Sequence, residues 1–275
     1  MIEKYEELIS DNYDCYIVGS DQIWRPKYFP NIGNAFLKFT KDINVKRIAY
    51  AASFGTDDWE YTNKQTKECS SLLNKFNAIS VREKYGLLQV KKYFHCKGTH
   101  VLDPTMLLDV EDYIKIIDLE KTSNSKGNLL VYILDESEEK EKLVRLVANK
   151  KLIPFNVNSR VEDILALLSE RIQLPVETWL RGFYDAEFII TDSFHACVFS
   201  IIFNKPFLVI GNRDRGLTRI ESLLEDFDML DRLCFLKDDL IYQRIENVIN
   251  WNIVNKKMKE LKTNSYKFLI EALEG

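Results

Sequence analysis

The 275-residue sequence lacks the features that identify several common classes of protein. It contains no apolar run close to the roughly 20 residues that span a bilayer, so no transmembrane segment is predicted. The first eleven residues are charged and lack the apolar core of a secretory signal. The cysteines number five, an odd count, and none forms a C-x-x-C pair. We therefore expect free thiols in the cytoplasm, with the protein either free or peripheral at the inner face of the cell membrane.

Short motifs of several ligand classes are also absent. The sequence has no G-x-x-x-x-G-K-[ST] phosphate loop, no G-x-G-x-x-G dinucleotide turn and no G-x-S-x-G nucleophile turn. His95 and His100 lie on either side of Cys96, but no second ligand pair follows at zinc spacing, so no metal site is predicted. A formal net charge of −4, from 38 basic and 42 acidic residues, gives no field that would attract nucleic acid.

What the sequence does contain is a repeated alternation of short β-rich runs and helical patterns, which indicates βαβ units around parallel sheets. The predicted strands are residues 15–18, 47–51, 78–81, 100–102, 129–134, 152–156, 187–191 and 206–210. We predict an α/β fold of two Rossmann-like lobes with mostly parallel sheets. The N-terminal lobe, on the acceptor side, covers 1–120, the C-terminal lobe covers 127–250, and a terminal helix covers 251–275. Ligands bind beyond the carboxyl ends of parallel strands, so the residues that follow each strand are the candidates for a site.

The first candidate segment follows the strand at 15–18. Gly19 permits a close backbone approach, and Ser20 or Asp21 can cap a short helix. Asp21 and Gln22 then either face a substrate hydroxyl or belong to an ordinary strand-to-helix turn that leads to a core tryptophan, Trp24. The spacing leaves both interpretations open.

Arg82 is the second candidate, because it ends the apolar strand at 78–81 and opens a helix. A guanidinium in that place can bind a carboxylate or a phosphate through two parallel hydrogen bonds. It can equally pair with Glu83 or with another acid at the rim of the sheet.

The third candidate segment is a polar cluster between a buried strand and a very apolar helix. Asp192 or Ser193 is a natural N-cap, which places His195 in or near the first turn of the helix. The positive end of the helix dipole disfavours imidazolium, so His195 is suited to proton transfer near neutral pH. The alternative is a helix-start histidine bonded to the backbone.

The fourth candidate segment, 211–220, carries three arginines and two glycines just before an amphipathic helix. Arg219 opens that helix, and Thr218 is its candidate cap. Guanidinium groups near a helix N-terminus form an anion pocket. A solvated charged turn would have the same composition, so this segment also has two interpretations.

Six segments in one order resemble the polysaccharide pyruvyl transferase family. They are YDCYIVGSDQIW (13–24), KRIAYAASFG (46–55), FNAISVRE (76–83), VLDPTMLL (101–108), TDSFHACVFSIIFNKPF (191–207) and RGLTRIESLL (215–224). The resemblance implies a glycosyltransferase-B-like fold and a transferase that moves a pyruvyl group. Its donor would be phosphoenolpyruvate, with no further cofactor. Its acceptor would be a sugar hydroxyl of a cell-surface polysaccharide or its precursor, free or as a lipid-linked oligosaccharide.

The resemblance also implies roles for individual residues. It makes His195 the catalytic acid/base and Arg82 a donor-binding arginine, and we expect Asp192 to orient the imidazole. Many members carry an arginine where this chain has Ser193, so we expect Arg215 or Arg219 to supply that donor contact. We expect Ser20, Asp21 and Gln22 to contact the acceptor.

One further departure from the family concerns the start of the chain. Relatives carry at least one more strand–helix unit before the segment at 13–24, so we expect the first lobe to be shortened. Two alternatives to pyruvyl transfer follow from the fold and from this shortening. The first is a nucleotide-sugar-dependent glycosyltransferase, and the second is a truncated, non-catalytic homologue that binds carbohydrate.

Overall fold

The computed structural model describes residues 13–148, 151–159, 164–165, 167–212, 216–236 and 240–275. These residues form two parallel sheets with interleaved helices, which confirms the predicted α/β class. The chain divides into two compact units. The first takes described residues within 1–107, 213–223 and 256–275, and the second takes those within 108–212 and 224–255. In this division two late segments join the first unit, and the lobe boundaries predicted from the sequence stay a prediction.

The first unit is built on four parallel strands in the order β1-β2-β3-β4. These strands are Cys15–Gly19 (β1), Lys46–Ala52 (β2), Ala78–Val81 (β3) and Thr99–His100 (β4), and the helices between them are Asn63–Leu73 (α1) and Lys84–Phe94 (α2). Helix α1 begins with a capping box, in which the Thr62 side chain accepts from the Gln65 backbone and Gln65 reaches back to Thr62. The predicted shortening of this lobe stays a prediction, because residues 1–12 lie outside the described residues.

Aromatic side chains fill the core of the first unit. Trp24 is fully buried, stacks on Phe36 with ring centroids 4.9 Å apart, and donates from Nε1 to the Ala35 carbonyl at 3.0 Å. A buried indole N–H needs such a partner, since an unpaired one costs desolvation energy. The interpretation of Trp24 as a core residue is therefore confirmed, and this core fixes the turn that carries residues 20–22.

A β-bulge bends β2 near its carboxyl end. The pairing of β2 with β3 shifts register between Ala49 and Ala52, and Ala51 has a φ of 54°. The Ser80 hydroxyl stabilises the bulge by accepting from the Ala51 N–H at 3.0 Å and donating to the Ala49 carbonyl at 2.9 Å. Bulges re-aim the residues that follow them. Here the segment that follows begins with Ser53.

The second unit is built on five parallel strands in the order β6-β5-β7-β8-β9. These strands are Leu129–Tyr132 (β5), Pro154–Phe155 (β6), Phe188–Thr191 (β7), Phe207–Ile210 (β8) and Leu233–Cys234 (β9). Strands β7 and β8 are buried along their whole length, as expected of central strands covered on both faces. Ile190 and Leu208 lie in the main core cluster of this unit.

Eight further helices follow α2 in chain order among the described residues of the two units. They are Val110–Ile117 (α3), Glu138–Ala148 (α4), Leu168–Arg171 (α5), Val176–Asp185 (α6), Phe194–Ile202 (α7), Leu217–Asp226 (α8), Ile241–Glu246 (α9) and Trp251–Glu274 (α10). Helices α3 and α6 pack against each other in the second unit. None of the helices in the described part of the chain is long and apolar enough to cross a membrane.

Candidate functional site

The carboxyl ends of the strands of the first sheet bring charged side chains together. Asp21 lies just beyond β1, Arg82 and Glu83 directly follow β3, and Asp103 lies just beyond β4. Arg219, from the first turns of α8, joins them through Asp21. We call Asp21, Arg82, Glu83, Asp103 and Arg219 the arginine cluster. It lies where ligands bind in open parallel sheets.

Arg82 is the centre of the arginine cluster and its side chain is fully buried. Nη1 donates to Asp103 Oδ2 at 2.7 Å, Nη2 donates to Asp21 Oδ1 at 2.9 Å, and Nε lies 3.4 Å from Glu83 Oε1. Burial acts to lower the pKa of Arg82, but the carboxylates of Glu83, Asp103 and Asp21 outweigh it and the pKa is raised. The alternative stated for Arg82, pairing with Glu83 or another acid, describes the contacts seen here. Its predicted role in donor binding stays a prediction.

Asp103 was not assigned a role from the sequence, yet it organises the site. Its Oδ2 accepts from Arg82 and from the Ser20 hydroxyl, the latter at 3.2 Å, and its Oδ1 accepts from the Thr105 N–H at 3.0 Å. Only 2% of Asp103 is exposed. The signal for it was the segment VLDPTMLL, in which an acid directly follows an apolar strand end.

Glu83 is the second buried acid of the arginine cluster. Its Oε1 accepts from the Ser53 hydroxyl, which in turn accepts from the Gly55 N–H at 3.0 Å. Burial raises the pKa of the Glu83 carboxyl, although Arg82, the Ser53 hydrogen bond and Arg219 act to lower it. The segment that follows the β2 bulge thus places the Ser53 hydroxyl next to the buried carboxylate of Glu83.

Arg219 is brought to the cluster by the way in which α8 is seated in the first unit. Ser222 of α8 accepts from the Lys84 N–H at 3.0 Å and so satisfies the first N–H of α2. Arg219 Nη1 lies 3.8 Å from Asp21 Oδ1. Burial and the nearby charge of Arg82 lower the pKa of Arg219 to about 10. A second guanidinium therefore lies next to Arg82.

The three predicted acceptor residues lie in one turn of the first unit. Ser20 donates to Asp103, and Gln22 Oε1 accepts from Arg25 Nη1 at 3.0 Å. Asp21 adopts a left-handed backbone conformation with φ 57°, and its side chain is 65% exposed. Of the three side chains, Asp21 is thus the one that combines a charge with access to solvent. Acceptor binding by these residues stays a prediction.

Asp192 directly follows β7, and its carboxylate accepts three hydrogen bonds. Oδ1 accepts from the Leu134 N–H at 2.7 Å, and Oδ2 accepts from the Asp135 N–H at 3.1 Å and from Lys140 Nζ at 2.7 Å. Among the described residues, none of its hydrogen bonds goes to His195. The contacts of Asp192 hold the connection between β5 and α4, and its predicted role in orienting His195 stays a prediction.

Ser193 and His195 begin helix α7 as the sequence predicts. Ser193 is the N-cap, with its hydroxyl accepting from the Ala196 N–H at 3.5 Å and its own N–H donating to Thr191 Oγ1 at 2.9 Å. His195 is half-buried in the first turn, with its ring 5.4 Å from that of Phe194 in an edge-on contact. The imidazole is therefore held at the positive end of a helix and is partly open to solvent, and its predicted role as acid/base stays a prediction.

The ends of neighbouring strands in the second unit are joined by further polar contacts that the sequence did not reveal. Asn212, beyond β8, donates to Asp135 Oδ2 at 2.8 Å, and Lys140 donates to the Asp135 carbonyl at 2.6 Å. Asn158, beyond β6, donates to the Ile133 carbonyl at 2.8 Å, while its Oδ1 is buried without a hydrogen-bond partner among the described residues. Lys140, Asn156 and Asn158 contribute to the lining of a cavity of about 230 Å³ in this region.

Two remaining expectations concern the arginine loop and metals. Arg215 lies outside the described residues, so its predicted contact with the donor stays a prediction. His100 Nε2 lies 3.1 Å from the Arg82 carbonyl, and His95 ends α2 in a left-handed conformation. No group of three His, Cys, Asp or Glu side chains that could hold a metal ion occurs in the described part of the chain.

The chain resembles known proteins in its structure and in its match to one family model. No curated protein sequence matches the chain. Eighteen chains of solved structures match, among them a variant of the wall teichoic acid polymerase TagF. That likeness has a TM-score of 0.43 and 12% identity, and it covers 96% of this chain and 94% of that one. The family model described as polysaccharide pyruvyl transferase matches residues 2–215. The chain therefore belongs to the polysaccharide pyruvyl transferase family.

Proposed function

We propose that this protein transfers a pyruvyl group from phosphoenolpyruvate to a sugar hydroxyl of a cell-surface polysaccharide or its precursor. Membership of the family supports transfer to a polysaccharide. The observation that carries the choice of donor is the pair of arginines that meet at the Asp21 carboxylate, 2.9 and 3.8 Å from the same oxygen. A donor with a carboxylate and a phosphate needs such cations, and planar guanidinium groups match these anions.

The proposed chemistry needs one group that moves a proton. His195 donates a proton to the methylene carbon of the enol while a sugar hydroxyl adds to the neighbouring carbon. The proton of that hydroxyl passes to the imidazole of His195, which has just given up its own. Phosphate then leaves as a second hydroxyl of the sugar bonds to the same carbon and closes the ketal, and the proton of that second hydroxyl goes to the departing phosphate. Positioned proton transfer of this kind contributes roughly 10²–10⁴ in rate. Arg82 and Arg219 hold the donor, with Ser193 and Arg215 as further proposed contacts.

The proposed location of this reaction is the cytoplasm. Each of the five cysteines is a free thiol, as is usual in a reducing compartment. The proposed acceptor, free or lipid-linked, would be met there or at the inner face of the membrane. Ser20, Asp21 and Gln22 are the proposed contacts to its hydroxyl groups.

The test is thermal unfolding with and without millimolar phosphoenolpyruvate or a nucleotide sugar. Ligand at about 100 times its Kd adds about 2.7 kcal/mol, which raises the Tm by several degrees. Wild type should be stabilised by phosphoenolpyruvate, and Arg219→Gln much less. Arg219 is chosen over Arg82 because removing Arg82 leaves two buried acids, Glu83 and Asp103, without their cation.

Two outcomes would overturn the proposal. Stabilisation by a nucleotide sugar alone would move the function to glycosyl transfer, and no stabilisation by either donor would favour a non-catalytic carbohydrate-binding homologue. With a donor established, His195→Ala should abolish pyruvyl transfer to a sugar acceptor while the Tm and donor binding are kept. Wild-type turnover in that variant would refute the role of His195.

A further inference from the structure

Within the arginine cluster, the carboxylate of Asp21 lies where an anionic ligand of the two arginines would bind. Its Oδ1 accepts from Arg82 Nη2 at 2.9 Å, and Arg219 Nη1 lies 3.8 Å from the same oxygen. Two guanidinium groups that converge on one carboxylate oxygen form a common arrangement for binding a carboxylate ligand. In this case the carboxylate belongs to the chain itself.

The exposure of the three side chains shows which of them can move. The Arg82 side chain is 0% exposed and that of Arg219 is 10% exposed, whereas that of Asp21 is 65% exposed. The other two acids on Arg82, Glu83 and Asp103, are almost fully buried. Of these three acids in the described part of the chain, Asp21 is thus the one that faces solvent, and a ligand that comes from solvent on that side reaches the guanidinium through the place that Asp21 holds.

The charges of the cluster argue against an anion binding beside Asp21. Among the described residues of the arginine cluster, the guanidinium groups of Arg82 and Arg219 already face the three carboxylates of Asp21, Glu83 and Asp103. A further anion beside Asp21 would place a fourth negative charge next to these three, and like charges at such short distances repel. An anion that replaces the Asp21 carboxylate leaves the number of charges unchanged.

The backbone of Asp21 permits this replacement without rearrangement of the turn. Its φ of 57° is fixed in part by the Ser53 N–H, which donates to the Asp21 carbonyl at 3.1 Å. Asp and Asn tolerate this left-handed conformation better than other non-glycine residues. The carboxylate can therefore leave by rotation of an exposed side chain, and Asn can replace Asp21 without disturbing the backbone.

We propose that Asp21 is an internal competitor of the ligand and sets the affinity of the site: a small carboxylate ligand binds Arg82 and Arg219 by displacing the Asp21 side chain. The ligand group is a carboxylate because the chain already places one there. The displaced side chain is then available to a hydroxyl of the acceptor. The identity of the ligand, the enolpyruvate end of phosphoenolpyruvate, rests on the proposed function, but the existence of the site does not.

The experiment compares binding to wild type and to Asp21→Asn by isothermal titration, without any acceptor. The probes are pyruvate, phosphoenolpyruvate and inorganic phosphate. Asp21→Asn should bind pyruvate and phosphoenolpyruvate about three- to tenfold more tightly, since a largely exposed ion pair of modest strength no longer competes. The affinity for inorganic phosphate should increase less than the affinity for pyruvate. The double variant Asp21→Asn/Arg219→Gln should not show this increase in affinity.

A matched control is Asp42→Asn, which makes the same charge change at a side chain that is 82% exposed and lies 3.6 Å from Lys41. It should leave all three affinities unchanged. Unchanged or weaker pyruvate binding in Asp21→Asn would overturn the inference, as would a gain that Asp42→Asn shares. A larger gain for phosphate than for pyruvate would overturn the assignment of the carboxylate. Because binding is read without turnover, tighter pyruvate binding in a protein that fails to transfer pyruvate would refute the proposed function alone.

Discussion

Arg82 Nη1 donates to Asp103 Oδ2 across 2.7 Å, and neither side chain has more than 1% of its surface exposed. Arg82 comes from the end of β3 and Asp103 from the connection after β4. The pair therefore ties the carboxyl ends of two adjacent strands to one another. A buried ion pair of this kind costs much more to break on one side than it contributes as an intact pair.

Asp103→Asn should lower the free energy of unfolding by about 3–5 kcal/mol, because it leaves the buried Arg82 without one of its charge partners. The measurement is urea denaturation. The matched control is Glu68→Gln, which breaks the half-exposed pair of Lys38 with Glu68 in the same unit and should cost about 1 kcal/mol or less. Equal effects of the two substitutions on the free energy of unfolding would contradict a stabilising role for the buried pair of Arg82 with Asp103.

Glu83 should make stability depend on pH with a definite sign. Burial raises the pKa of its carboxyl above the ordinary value of 4.5, so the folded protein holds the proton more tightly than the unfolded chain does. The stability that Glu83 contributes is fully present below the ordinary pKa and is lost as the pH rises through the folded pKa. Glu83→Gln cannot lose a proton and should escape this loss.

The measurement for Glu83 is the free energy of unfolding of wild type and Glu83→Gln at a series of pH values from about 4 upward. The difference, variant minus wild type, should become more favourable to the variant as the pH rises. The prediction concerns the slope of this difference against pH. A pH-independent cost of replacing the Glu83 carboxyl by an amide does not change that slope. A slope of the opposite sign would mean that Arg82 and Arg219 outweigh the burial of the carboxyl.

Substitution of Gly216 should destabilise the protein, because the backbone of Gly55 lies next to its Cα atom. It has a φ of 77°, and a Cβ atom there would overlap the carbonyl oxygen of Gly55. Gly216→Ala should therefore cost about 2 kcal/mol or more and displace the start of α8, which weakens anion binding through Arg219. Gly19→Ala is the control, since its Cβ would meet the Tyr50 carbonyl at 3.4 Å, an ordinary contact. Equal Tm values for the two variants would contradict the prediction.

Much of the fold could be predicted from the sequence because buried parallel strands appear as short apolar runs. The predicted strands at 78–81 and 187–191 agree to within one residue with the observed strands β3 and β7. The division into units could not be predicted, because residues 216–223 and 256–275 join the first unit through contacts far apart in sequence. One example is the Ser265 hydroxyl, which accepts from the Leu102 N–H at 2.9 Å. No local pattern records such a contact.

The candidate site was only partly predictable for the same reason. Arg82 and Asp192 were found because each follows an apolar strand, where ligands bind. Their partners were not, since no local pattern links Asp103 to Arg82, and Lys140 lies on the helix of another βα unit. The pairing of Asp21 with Arg219 joins residues that are far apart in the sequence. Sequence patterns indicate which end of a sheet is used, whereas contacts between segments decide which charges meet there.

Lys140 and Asp192 form a buried ion pair in the second unit, with 2.7 Å between Nζ and Oδ2 and with 8% and 0% of their side chains exposed. Asp192→Asn should cost about 3–5 kcal/mol, because it leaves a buried ammonium without its carboxylate. Lys140→Met should cost less, since the Asp192 carboxylate keeps two backbone N–H donors. The double variant should cost clearly less than the sum of the two, as read from a double-mutant cycle in urea.

The same variants separate an anchoring role of Asp192 from an orienting role on His195. If Asp192 acts by holding the connection after β5, a double variant that folds should lose rate without a shift in the pH profile of transfer, because the imidazole keeps its own surroundings. A shifted profile would instead assign Asp192 to His195. Glu141→Gln, which breaks the exposed pair of Glu141 with Arg145, is the control and should change stability by about 0.5 kcal/mol or less. Additive costs of Asp192→Asn and Lys140→Met would mean that the two side chains do not act as a pair.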